Sequence, residues 1–233
     1  MNMIFSHLTD KFQLKFKDRE SAGSILGESL KHCIKKDERK NTIVLGVPRG
    51  GVITGWAIAR KLSCNFGIII PRKLHAPHNE ELAIGAVMED NTTFLNEILI
   101  KELEITFEYL EKEKLHQMAE IKRRKELYPS KTSEWDQHDL SGKTVILADD
   151  GAATGATLIV ATRYLIINKM PNKIVIAIPI SPKGTIDELN REKVSDIEVI
   201  TSPQNKKFRS VEQYYHDFHQ FTDKEVLEVI TNE

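Results

Sequence analysis

Residues 145–158 read VILADDGAATGATL, and this stretch decides the fold. An apolar run of strand length delivers two adjacent acids, Asp149 and Asp150, to its carboxyl end, and small and hydroxylic residues then turn the chain into a helix. Open α/β sheets hold their ligands at such strand ends. Neighbouring carboxylates repel each other, so this pair makes most sense as acceptors for hydroxyl groups or as neighbours of a cation. The vicinal hydroxyls of a ribose meet that demand. Ala153, Thr154, Gly155, Ala156 and Thr157 offer backbone N–H groups and two hydroxyls to a phosphate at the helix start. An acid pair followed by a phosphate cradle is the pattern of a ribose 5-phosphate site. The stretch has neither the Gly-Lys-Ser/Thr of a P-loop nor a G-x-G-x-x-G fingerprint, which weakens a nucleoside triphosphate or dinucleotide reading.

Upstream, residues 42–47 read as a buried strand running into Pro48-Arg49-Gly50-Gly51, and residues 52–62 as the helix leaving that turn. The glycines let the backbone approach an anion, and Arg49 offers a multidentate cation. A second buried strand over 64–71 ends at Arg72 and Lys73, which reach the same sheet edge as the acids if the strands are parallel. Residues 72–83 lack regular periodicity and are expected to be a loop; 84–88 and 92–95 resemble a short hairpin.

The charged stretch 96–128 suggests one long helix or two, ended by Pro129, with 130–142 as a connector. An amphipathic helix is expected over 18–36, and downstream come a helix at 154–168, a strand at 173–180, a short helix at 184–190 and a strand at 197–201. Strands separated by helices imply an α/β fold, a mostly parallel sheet flanked by helices. All 233 residues are expected to form one domain, with a helical insertion over about 96–128 and a C-terminal hood over about 202–233.

Composition narrows the function classes. Apolar residues are 40% and charged residues 29%, a soluble globular balance, and the longest apolar runs fall well short of a membrane span. A formal net charge of −1 supplies no global attraction for nucleic acid or anionic membrane, so an anion site must be built locally. The basic run Lys122-Arg123-Arg124-Lys125 reads as a solvated helix end. The N-terminus lacks a secretory pattern, which points to the cytoplasm, and Cys33 and Cys64 read as packed residues without metal-ligand spacing.

The strand, acid pair and Thr-Gly-Ala-Thr turn resemble the phosphoribosyl-pyrophosphate motif of type I phosphoribosyltransferases, and residues 46–51 look like that family's pyrophosphate loop. PRGG at 48–51, RKLHAPHNEELAIGAV at 72–87, DDGAATGAT at 149–157 and YYHDF at 214–218 resemble a branch of predicted phosphoribosyltransferases with an unassigned base, so the likeness spans most of the chain. It implies that Asp149 and Asp150 hold the ribose hydroxyls and that 153–157 bind the 5-phosphate. Arg49, Gly50 and Gly51 would bind pyrophosphate, with a cis peptide mapping to Pro48–Arg49, while Arg72 and Lys73 neutralise the leaving group.

The implied reaction is Mg²⁺-dependent transfer of a 5-phosphoribosyl group from phosphoribosyl pyrophosphate to a nitrogenous base. The ion would be held mainly by substrate, without direct protein ligands, and reached by Asp149 or Asp150 through water. Tyr214 and Phe218, with Tyr215 and Phe221 nearby, could stack on the base, although packing onto the core accounts for them equally well. Many relatives carry Asp where Ala153 stands, so the simplest catalytic base is missing. That departure keeps open a noncatalytic sensor that binds the same sugar phosphate. His75 and His78 depart from the small residues expected in this branch and are assigned no zinc, and the amphipathic charged helix offers a homodimer surface.

Overall fold

The structure, a computed structural model, describes residues 15–128 and 134–231. The N-terminal residues 1–14 and Pro129 therefore lie outside the described residues. A five-stranded sheet runs in the order β2-β1-β6-β7-β8 with every neighbouring pair parallel. Its centre is β1 (Thr42–Gly46), β6 (Thr144–Ala148) and β7 (Lys173–Ile180); β2 (Asn65–Ile68) and β8 (Asp196–Thr201) are the edges. The central strands are near-continuous runs of Val, Ile, Leu and Ala because helices cover both faces.

Alternate residues face opposite layers, as the strand period requires. Val44, Ile146, Ala148, Val175 and Ala177 meet Leu26 of α1 (Arg19–Ser29) and Ile58 and Leu62 of α2 (Gly50–Leu62). Ile43, Leu45, Val145, Leu147 and Ile176 meet Leu158, Ile159 and Leu165 of α5 (Ala156–Asn168). The chain leaves β1 through α2 toward β2 on one side, and leaves β6 through α5 toward β7 on the other. The strand order thus reverses between β1 and β6, which opens a crevice at their carboxyl ends.

The expected loop over 72–83 is instead part of an antiparallel sheet of β3 (Arg72–Ala76), β4 (Asn79–Val87) and β5 (Thr93–Leu95). Leu74, Ala76 and Ile84 are buried, but the charged residues between them mask so short an alternation. The turn falls at His78, whose φ of 60° is the left-handed conformation usually signalled by glycine or asparagine.

The segment 96–128 forms two helices, α3 (Glu97–Glu102) and α4 (Phe107–Leu127). Thr106 restarts the chain by accepting from the Tyr109 N–H. Leu110 and Ile121 of α4 pack with Leu74, Ile84 and Val226 of α7 (Asp223–Thr231), forming a second core beside the main sheet. The connector is equally anchored: Trp135 is buried and its indole N–H donates to the Ile68 carbonyl at 3.1 Å. After β7, α6 (Lys183–Leu189) leads to β8 and then to the aromatic tail. The tail is joined to the start of the described chain, where Phe16 N–H donates to Tyr214 O and His216 N–H to Phe16 O, both at 2.8 Å.

Candidate functional site

The turn after β1 and the turn after β6 meet at the switch point. Helix α2 begins at Gly50, immediately after a cis peptide between Pro48 and Arg49, the bond at which one was expected. A Cβ on Gly51 would lie 2.8 Å from Asp149 Oδ1, and one on Gly50 would lie 2.0 Å from Asp150 Oδ2. The two glycines therefore serve a close approach of the two loops to each other, beyond the access to an anion that the sequence suggested.

The two acids differ sharply in environment. Asp149 accepts the Asp150 N–H at 2.8 Å, and loss of hydration followed by repulsion from Asp150 pushes its carboxyl well above the usual carboxylate range. Lys73 opposes that rise. Asp150 Oδ2 accepts from Arg19 Nε at 2.6 Å, and the side chains of that pair are 16% and 5% exposed, so the contact is shielded from solvent. The Tyr215 hydroxyl donates to the Asp150 carbonyl at 2.6 Å. Burial, followed by the charge of Asp150, pushes this phenol up, so it stays a donor.

The turn expected to cradle a phosphate follows directly. Ala153 and Thr154 are exposed, Gly155 takes φ 72° as the N-cap of α5, and the Thr154 hydroxyl accepts the Ala156 N–H at 3.5 Å. The Thr185 hydroxyl donates to the Ala153 carbonyl and braces the turn. A Cβ on Gly155 would approach Thr185 and Leu189, so the left-handed turn is also packed from behind. Ala156 is buried and Thr157 half-buried on the first turn of α5.

Arg72 and Lys73 diverge, as adjacent strand residues do. Lys73 is exposed, whereas Arg72 donates from Nε to Gln117 Oε1 on α4 at 2.9 Å; burial and then Arg124 lower its pKa. Gln117 in turn donates to Glu113, which accepts the His75 N–H at 3.0 Å. His75 thus serves the α4 interface, and His78 sits at the exposed hairpin tip. The basic run is largely paired internally, Arg123 and Arg124 with Glu120 and Lys125 with Glu89 and Asp136. Tyr214 is buried in the tail core and its ring stacks with Phe208, while Phe218 remains half-buried beside Arg19.

Sequence reasoning missed Arg19, Tyr215 as an anchor and Gln117. Only Arg19 left a signal, a cation on the first turn of a helix, where the macrodipole disfavours it. Among the described residues one group of His, Cys and Asp has metal-ligand proximity, His32, Cys33 and Asp196, although the cysteine spacing had suggested none. It adjoins the amino end of β8, remote from the crevice, and burial pushes the Cys33 thiol up to about 11. No helix of the described residues is long and apolar enough to cross a membrane.

The open parallel sheet, its switch-point crevice and the facing loops define an α/β protein with the architecture of the type I phosphoribosyltransferases. The family model of the phosphoribosyl transferase domain matches residues 15–219, and the chain belongs to that family. It is 32% identical over 212 residues to "Putative phosphoribosyl transferase Rv0571c" of Mycobacterium tuberculosis. That alignment covers 91% of this chain and 45% of the relative, so the chain spans about half the length of the curated relatives it matches. The solved structure of TT1426 from Thermus thermophilus is similar at 29% identity and a TM-score of 0.68, over 94% of this chain and 99% of that one.

Proposed function

We propose that the crevice binds phosphoribosyl pyrophosphate and that the protein transfers its 5-phosphoribosyl group to a nitrogenous acceptor, releasing pyrophosphate. The observation that carries this reading is the contact of Gly50 and Gly51 with Asp150 and Asp149, which brings a cationic loop and an acid pair to one switch point. Asp149 and Asp150 hold the ribose 2- and 3-hydroxyls, and the backbone of 153–157 cradles the 5-phosphate at the start of α5. Arg49, Gly50 and Gly51 receive the pyrophosphate. Lys73, and Arg72 held by Gln117, stabilise charge growing on it.

The step is a displacement at the anomeric carbon. The bond to the pyrophosphate oxygen breaks and its electron pair leaves with pyrophosphate, while the acceptor nitrogen forms the new bond and gives its proton to solvent, since Ala153 can take none. The carboxylates fix the ribose and favour positive charge on its ring. Magnesium brought by the substrate would offset the negative charge of the pyrophosphate, with Asp149 or Asp150 reaching it through water. The donor set suits this hard cation, because the turn after β6 offers the carboxylate oxygens of Asp149 and Asp150. Asp149, raised by burial and by Asp150, is the carboxyl that a nearby cation returns to its charged form.

In this reading residues 1–233 act as one catalytic unit, cytoplasmic, with α3 and α4 as the insertion and the segment from 202 onward as the hood. Phe218, half-buried in the tail, meets the base, and Tyr214 supports it from the core. A second copy of the chain is the expected partner at the insertion, where Phe107 and Leu115 are 77% and 68% exposed. Pyrophosphate release, assayed with phosphoribosyl pyrophosphate and Mg²⁺ over purines, pyrimidines and small amines, tests the activity. Release with one acceptor supports it; magnesium-dependent binding without turnover across the panel identifies a sensor instead, and absence of binding removes the reading.

A further inference from the structure

Arg19 is 4% exposed, yet it sits on the first turn of α1, where a cation is opposed by the helix dipole. Such a placement persists only if the charge is fully engaged. Its Nε donates to Asp150 Oδ2 at 2.6 Å, its Nη1 donates to the His219 carbonyl at 2.6 Å, and its guanidinium carbon lies 3.8 Å from the centroid of Phe218. One side chain thus grips the second acid of the crevice on one side and the aromatic tail on the other. The tail is already tied at its base, by Phe16 with Tyr214 and His216, and by Asp217 N–H donating to Lys17 O at 2.9 Å. Beyond Asp217, Arg19 fastens it over the acid loop.

We infer that Arg19 is a positioning residue: its guanidinium aims the Asp150 carboxylate, leaves Oδ1 for the ligand, and couples the order of the 216–221 tail to the sugar-phosphate site. This rests on the proposed reading of the crevice and extends it to a residue that touches no substrate in that reading. Asp150 lies beside Asp149, and without Arg19 it would have a like charge as its neighbour and no fixed rotamer. A planar guanidinium donates along two directions while stacking on a ring, which an ammonium does not reproduce.

The test compares wild type with Arg19→Met and Arg19→Lys, measuring phosphoribosyl-pyrophosphate affinity with Mg²⁺ by calorimetry, kcat and KM for pyrophosphate release, and amide exchange of the 216–221 tail. Arg19→Met is expected to weaken affinity and raise KM about tenfold or more, with a smaller change in kcat and faster exchange in the tail. Arg19→Lys is expected to recover part of the affinity but not the tail protection. A folded Arg19→Met chain with affinity within about twofold of wild type would overturn the inference. Should that variant not fold, Phe218→Leu keeps the ion pair and removes the ring: faster tail exchange with weaker affinity supports the coupling, and unchanged values for both overturn it. Wild type that binds no phosphoribosyl pyrophosphate removes the site reading itself, an outcome distinct from wild type and Arg19 variants binding alike.

Discussion

Gly50 and Asp150 are packed so closely that a single methyl on the glycine would overlap the carboxylate, with Asp150 Oδ2 at 2.0 Å and Arg19 Nε at 2.5 Å. Neither neighbour is free to retreat, since they are paired with each other at 2.6 Å. Gly50→Ala should therefore cost about 1–3 kcal/mol of stability and weaken phosphoribosyl-pyrophosphate binding about tenfold or more. Thermal melting and calorimetry read the two effects, and unchanged affinity in a folded variant would detach this contact from the site.

In the proposed reading Asp149 is a site where function opposes stability. Its carboxyl is raised by burial and by Asp150, so once the pH exceeds the ordinary value of 3.8 the unfolded chain gives up the proton more readily than the folded one. Stability falls as pH climbs from there until the folded carboxyl ionises. Asn keeps an acceptor for the Asp150 N–H but carries no charge. Asp149→Asn is expected to melt higher at pH 7, by about 2–4 °C for each kcal/mol relieved, while binding sugar phosphate more weakly. A lower melting temperature would contradict the assigned sign.

Asp136 behaves in the opposite sense. Burial alone would raise it, but hydrogen bonds from Lys125, Tyr164 and Lys169 outweigh that and hold the carboxyl down at about 2. Its contribution is present above the ordinary value of 3.8 and is lost as pH falls toward about 2. Asp136→Ala should destabilise the fold by about 2–4 kcal/mol at pH 7. In urea unfolding the gap between variant and wild type should close on acidification; a gap independent of pH argues against the ion pairs as its source.

Trp135 closes the space beside β2, where a Cβ on Gly67 would meet its ring at 2.5 Å. Trp135→Ala removes the ring and leaves the Ile68 carbonyl without its 3.1 Å donor. A loss of about 3–5 kcal/mol is expected, readable as a lower urea midpoint. A loss below about 1 kcal/mol would mean that the surroundings collapse into the space.

The central strands of the main sheet were legible because each is a nearly unbroken apolar run of strand length. Thr144–Ala148 and Lys173–Ile180 are continuous apolar runs that no surface segment would bear, and glycines and acids mark the turns that follow. The β3–β4 hairpin was illegible because Leu74 and Ala76 are too brief an alternation, and because its turn is made by a histidine at positive φ. Trp135 looked like part of a polar connector; its burial depends on the gap above Gly67, a property of the packed sheet.

The stretch VILADDGAATGATL was enough by itself to determine a strand, an acid pair at its carboxyl end and a small-residue turn into a helix, since these are local properties of consecutive residues. Tertiary structure alone decided that Asp150 is gripped by Arg19 from 131 residues away while Asp149 is left to bear the loss of hydration. Chain folding brings distant charges together, and the strength of an ionised group depends on which neighbours and how much water remain around it.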